Sequence, residues 1–111
     1  MESSKSYKIR KGEYEFEITL DKIGDVIVYS KLELGSQAWE WRRSFDTQVE
    51  ADACLTTLHG ILRSSDESKM DFSKRLYDIS IVERAGQDRM EIVRVEVKFY
   101  RLVKMEKVEV F

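Results

Sequence analysis

A chain of 111 residues is the usual size of one domain and is too short for two. With 42% hydrophobic, 36% charged and 11% aromatic residues, it has the content of a globular protein and lacks the signature of a disordered one. The net charge of −2, from 19 basic and 21 acidic residues, argues against non-specific duplex binding, which needs a basic excess, and is too mild for an acidic mimic of nucleic acid.

No apolar run approaches the ~20 residues that span a bilayer, so no membrane association is expected. The polar start Met1–Ser6 has no apolar stretch of the kind a signal peptide carries. Cys54 is the single cysteine and cannot form an internal disulfide, which points with the rest to a reducing, cytoplasmic location. Residues 1–6 are read as a flexible lead-in and 7–111 as a single α+β domain. Five glycines and no proline leave little material for long rigid loops, so connections should be tight.

From Tyr7 to Phe45 the pattern has a period of two. Tyr7–Arg10 reads as a short strand, and Lys11-Gly12 as a turn or bulge. Tyr14, Phe16, Ile18 and Leu20 then alternate with Glu13, Glu15, Glu17 and Thr19, a half-buried strand with an acidic outer face. The stretch 21–25 is a hairpin loop into Val26–Leu34, and Gly35-Ser36 turns the chain into Ala38–Phe45. Lys8 and Arg10 are the cations that would face the glutamate column if the first strand folds back.

The period changes after Phe45. Thr47-Gln48-Val49-Glu50 fits a capping box, with Asp46 a rival cap. Ala51, Cys54, Leu55, Leu58, Ile61 and Leu62 recur at helical spacing, which predicts an amphipathic helix over about 47–63, closed by the polar run Ser64–Ser68. Tyr77, Ile79 and Ile81 begin a further strand, 85–88 form a hairpin loop, and Val93, Val95, Val97 and Phe99 form the most regular alternation in the chain. Leu102–Phe111 reads as a last strand at an edge or running out to a partner.

The predicted order is β-β-β(-β)-α-β-β-β in one antiparallel sheet of six to seven strands, with the helix packed on or wrapped by it. One helix of that length cannot cover so wide a sheet. Either the sheet curls round the helix, or its uncovered apolar face is buried against a ligand or another chain, with a homodimer the commonest solution.

Little in the sequence points to catalysis. His59, at the margin of the helix stripe, is the only histidine, which excludes multi-histidine metal sites. Cys54 lies within the stripe and reads as a small buried hydrophobe. The glycines are scattered singly, without a phosphate-cradling loop. Side chains about 7 Å apart on one strand, such as Glu13, Glu15 and Glu17, do not converge on one ion. No enzyme activity, metal or cofactor is expected.

The segment Trp39-Glu40-Trp41-Arg42-Arg43-Ser44-Phe45 is the most suggestive. Trp39, Trp41, Arg43 and Phe45 share one strand face, while Glu40 and Arg42 share the other. Tryptophan and arginine can stack on single-stranded bases, can anchor a protein interface, or can simply be core facing the helix. Trp39, Trp41, Arg42 and Arg43 are therefore the candidate binding residues. Arg94, Lys98 and Arg101 are a secondary basic patch, interrupted by Glu96 and, further on, by Glu106 and Glu109. No motif identifies a family; in element order alone, a meander followed by one helix is similar to the Whirly and PUR modules, and that likeness implies single-stranded nucleic-acid binding. The expected function is a non-catalytic protein-interaction module, a small adaptor, regulator or inhibitor that is homodimeric and binds a protein partner. The alternatives are a single-stranded nucleic-acid binder and a small-molecule carrier or enzyme with a pocket between helix and sheet.

Overall fold

In the computed structural model, which describes residues 5–64 and 75–111, four strands follow one another as a meander: β1 (Lys5–Lys11), β2 (Tyr14–Ile23), β3 (Ile27–Leu34) and β4 (Gln37–Ser44). They form one antiparallel sheet in chain order, as the alternation predicts. Gly12 (φ +62°) and Gly35 (φ +61°) occupy left-handed positions at two of the tight turns, where a side chain would be strained. The first strand begins two residues earlier than the alternation suggested: Lys5 and Ser6 pair with Leu20 and Thr19, and the two hydroxyls of Ser6 and Thr19 lie 2.8 Å apart.

The two faces of this sheet differ as the period-two pattern requires. Ile9, Phe16, Ile18, Leu20, Val28 and Leu32 are buried on one side. On the other, Lys8 stands opposite Glu17 and Arg10 opposite Glu15, so the acidic column meets the basic strand that folds back beside it. Lys31 and Glu33, 3.7 Å apart, continue the mixed charge. Exposed pairs of this kind contribute about 0–1 kcal/mol each, so the sheet is held from its inner side. Ser30 lies within that inner face; its hydroxyl is buried without a hydrogen-bond partner among the described residues, at a cost of about 1–3 kcal/mol.

Helix α1 spans Gln48–Ser64. Thr47 caps it, its hydroxyl accepting from the Glu50 amide at 3.2 Å, the threonine half of the expected capping box. Ala51, Leu58, Ile61 and Leu62 form its buried stripe against β2 and β3. Each fully buried leucine or isoleucine contributes roughly 1.5–3 kcal/mol. An ion pair between Lys22 and Asp52 and the Tyr7–His59 contact tie the helix to β2 and β1. The polar segment 65–68 and residues 1–4 lie outside the described residues.

The expectation of a single sheet of six to seven strands is corrected here. Strands β5 (Tyr77–Ala85), β6 (Glu91–Val103) and β7 (Glu106–Glu109) form a second, three-stranded antiparallel sheet, not hydrogen-bonded into the first. The physical reason is the packing problem itself. The helix covers only part of the inner face of the first sheet, and a separate sheet can cover the rest. Tyr77, Ile79, Ile92, Val95 and Phe99 join the same buried cluster as Phe16 and Leu58. The side chains of Gln37 and Trp39 donate to the backbone carbonyls of Ile92 and Val93, at 2.8 and 2.9 Å, and so join β4 to β6 across the inter-sheet contact.

A second correction concerns the end of the chain. The strand expected over 102–111 is divided: β6 runs on to Val103, and a two-residue turn at Lys104-Met105 leads into β7. Both turn residues have positive φ (51° and 70°), the pattern of a type I′ turn, which normally selects Asn-Gly. Neither residue carries that signal.

Candidate functional site

Strand β4 sets the positions of the four residues singled out from the sequence. Trp39 pairs with Leu32 and Trp41 with Ser30 on the inner face, whereas Arg42 pairs with Tyr29 on the outer one. Both indoles are half-buried and packed against the core. The Trp39 ring meets Phe16 edge-on (6.5 Å between centroids, 61° between planes), and its Nε1 donates to Val93. The Arg43 guanidinium lies 5.7 Å from the centre of the Phe45 ring, and that of Arg42 lies 5.6 Å from the Tyr29 ring on the opposite face. Trp39, Trp41 and Arg43 thus share one side of the strand, the two indoles against the core and Arg43 exposed, and Arg42 is separated from them by the sheet.

The secondary basic patch also divides. Arg94 is exposed and ion-paired with Glu83 at 3.7 Å. Lys98 stands opposite Asp78 on the outward side of β6. Arg101 has the parity of the inward Val95 and Phe99; it pairs with Val108 and lines a shallow cleft between sheet and helix with Ala53, Cys54, Thr57, Glu109 and Val110.

Two further features come into view only in three dimensions. The β6–β7 hairpin exposes Leu102, Val103, Met105 and Val108, four of the nine large exposed hydrophobic side chains among the described residues, within seven positions. By the register of β6 with β7, Val103 and Val108 lie on one face of the hairpin and Leu102 on the other, so the hairpin is apolar on both sides near its turn. Where β1 ends beside β5, β6 and β7, a cleft of about 370 Å³ is lined by Arg10, Lys11, Arg75, Tyr77, Asp78, Ile79, Tyr100 and Lys107. Its cations come from chain segments far apart in sequence, so no linear motif could have announced it.

Comparison with known protein families, with curated proteins and with solved structures returns no match. What this chain does must therefore be argued from these side chains.

The titratable groups of α1 offer little nucleophilic or metal chemistry. Burial pushes the half-buried Cys54 thiol up, only partly offset by the Arg43 charge, which disfavours the reactive thiolate. Among the described residues no group of three or more His, Cys, Asp or Glu side chains is gathered to hold a metal ion. His59 is held by Tyr7, whose hydroxyl lies 3.0 Å from Nδ1 and can donate to the neutral ring. Burial first, then the charges of Lys5 and Arg63, lower its pKa, against an opposing effect of Asp21.

A folded-state pKa below that of the unfolded chain means that the unfolded state takes up the proton first. The stability His59 contributes is then present above about pH 6.5 and is lost as pH falls through the folded value. Urea midpoints of wild type and His59→Gln should differ at pH 7.5, and the difference should shrink at pH 5. An unchanged difference would show that this contact does not favour the neutral ring.

Proposed function

We propose that this chain is a non-catalytic interaction module that acts in the cytoplasm without a cofactor and self-associates as a homodimer through the β6–β7 hairpin. The observation that carries this reading is the exposure of Leu102, Val103, Met105 and Val108 along one hairpin, Val103 and Val108 on one face, Leu102 on the other and Met105 at the turn, which no other part of the described chain covers. Among the described strands β7 has only β6 as a neighbour, so its other edge presents backbone groups that an added strand could pair with. Lys104 and Lys107 alternate there with Glu106 and Glu109, two charges of each sign, which lets two antiparallel copies oppose unlike charges. The turn residues Lys104 and Met105 hold left-handed backbone at a cost of roughly 1–2 kcal/mol each. Strain of that size at an exposed apolar tip supports a role in contact.

Sedimentation equilibrium tests the proposal. Wild type is expected at twice the 13.1 kDa mass of the chain. Leu102→Glu/Met105→Glu should be a folded monomer, because both side chains are exposed and two buried apolar groups are worth roughly 3 kcal/mol or more, over 100-fold in dissociation constant. A monomeric wild type at 100 μM protein would sink the proposal.

A further inference from the structure

The cleft at the end of β1 has a charge balance opposite in sign to that of the chain. Four of its lining side chains are cationic (Arg10, Lys11, Arg75 and Lys107) and one is anionic (Asp78), a local balance of +3 in a molecule of net charge −2. Asp78 faces competing partners: the Ser80 hydroxyl lies 3.4 Å from its carboxylate, and Lys98 stands opposite on β6. The cations are placed by the fold. Lys107 donates to the Arg75 carbonyl at 2.8 Å and lies 6.0 Å from the Tyr100 ring centre, while the Arg75 guanidinium lies 5.1 Å from the ring centre of buried Tyr77. An ammonium has three donors, so Lys107 keeps two for a ligand.

From these features we infer that the cleft binds the phosphates of single-stranded nucleic acid, with Arg10, Lys11, Arg75 and Lys107 meeting the backbone and the half-buried Tyr100 offering a ring to a neighbouring base. Several cations converging around a concave site with an aromatic wall suit a phosphodiester next to a planar base. Beyond the cleft the cations of the first strand divide between its two faces. Strand β1 carries Lys5, Lys8, Arg10 and Lys11 in seven residues and forms one edge of its sheet. Lys8 and Arg10 stand opposite Glu17 and Glu15, whereas Lys11 stands opposite Tyr14. The cleft shares Lys107 with the hairpin proposed for self-association, so its test is placed on Arg10 and Lys11 of the first strand.

The test is fluorescence anisotropy of a labelled 20-nucleotide single strand titrated with the full chain. Binding at 50 mM salt should weaken roughly 20–50-fold by 200 mM, the dependence of three or four phosphate contacts on a single strand. Lys11→Glu should weaken it about tenfold or more, and Arg10→Glu/Lys11→Glu further. Arg94→Glu, which makes the same charge change as Lys11→Glu on the far part of β6, should leave it within about twofold. Circular dichroism confirms that the variants are folded, and neither Arg10 nor Lys11 lies in the hairpin, so a failed dimer and a failed cleft are told apart. The inference is overturned if wild type does not bind at 50 mM salt or if Arg94→Glu costs as much as Lys11→Glu. It is also overturned if a mononucleotide or inorganic phosphate competes as well as the oligonucleotide, which would make the ligand a small phosphate compound. Equal competition by polyglutamate would reduce the cleft to a general polyanion site.

Discussion

Replacing Trp39 by alanine is expected to lower the unfolding free energy by roughly 2–4 kcal/mol, a core effect and not a surface one. The indole is half-buried between the two sheets, edge-on to fully buried Phe16, and its N–H satisfies the Val93 carbonyl of the second sheet. Alanine removes the ring contact, exchanges the exposed hydrogen bond to Val93 for one to water and opens space where β4 meets β6. Trp39→Phe separates the two contributions: it keeps an aromatic ring against Phe16 but loses the N–H, and should cost only about 0.5–1.5 kcal/mol. Urea denaturation followed by circular dichroism measures both. If Trp39→Ala kept the wild-type midpoint, the indole would be a surface group and the aromatic strand would return as the leading binding platform.

How far this tryptophan could be placed from sequence shows what local pattern can and cannot reveal. Alternation assigns Trp39, Trp41 and Arg43 to one strand face and Arg42 to the other, and the pairing of β3 with β4 has that arrangement. Alternation carries no information on what lies against the face. The partner of Trp39 is a carbonyl 54 residues away, on a strand that follows the helix. The same limit explains the sheet. The periodicity of Tyr14–Leu20 and Val95–Phe99 identifies both as strands with one buried side, although before Val95 the alternation breaks, with Ile92 buried and Val93 exposed; period two is also the same whether strands share one sheet or lie in two. The helix was legible because its signals are local: Thr47 before the first turn, and Ala51, Leu58, Ile61 and Leu62 at three-four spacing. The turn at Lys104-Met105 was not, because neither residue favours positive φ, and the hairpin's close pairing holds them there. The basic cleft is assembled from the ends of β1 and β5 with parts of β6 and β7, so its cations share no spacing that could be read in advance.

Phe99→Ala should have the larger effect, roughly 3–5 kcal/mol, against a total stability that for a domain of this size is about 5–15 kcal/mol. Phe99 is fully buried, pairs with Tyr77 across β5 and β6, and meets Phe111 edge-on at 6.0 Å and 83°. Its carbonyl accepts from the Val110 amide, so the same residue anchors the last segment of the chain to the core. Alanine leaves a cavity between the second sheet and the rest of the buried cluster, and the melting temperature should fall by roughly 12 °C or more. The form of the transition tests the domain assignment. We propose that the two sheets and the helix unfold as one unit, because Phe99 and Phe16 belong to a single contiguous buried cluster and not to one core per sheet. Helical circular dichroism and tryptophan fluorescence should then fall together in wild type and in Phe99→Ala, and Phe16→Ala should lower the same single transition. If Phe99→Ala instead split unfolding into two steps, with the fluorescence of β4 surviving the first, the second sheet would be a separately melting layer. The contacts of Gln37 and Trp39 with β6 would then be a docking interface between two units, and the stability of the hairpin would have to be measured apart from that of the helix and the first sheet.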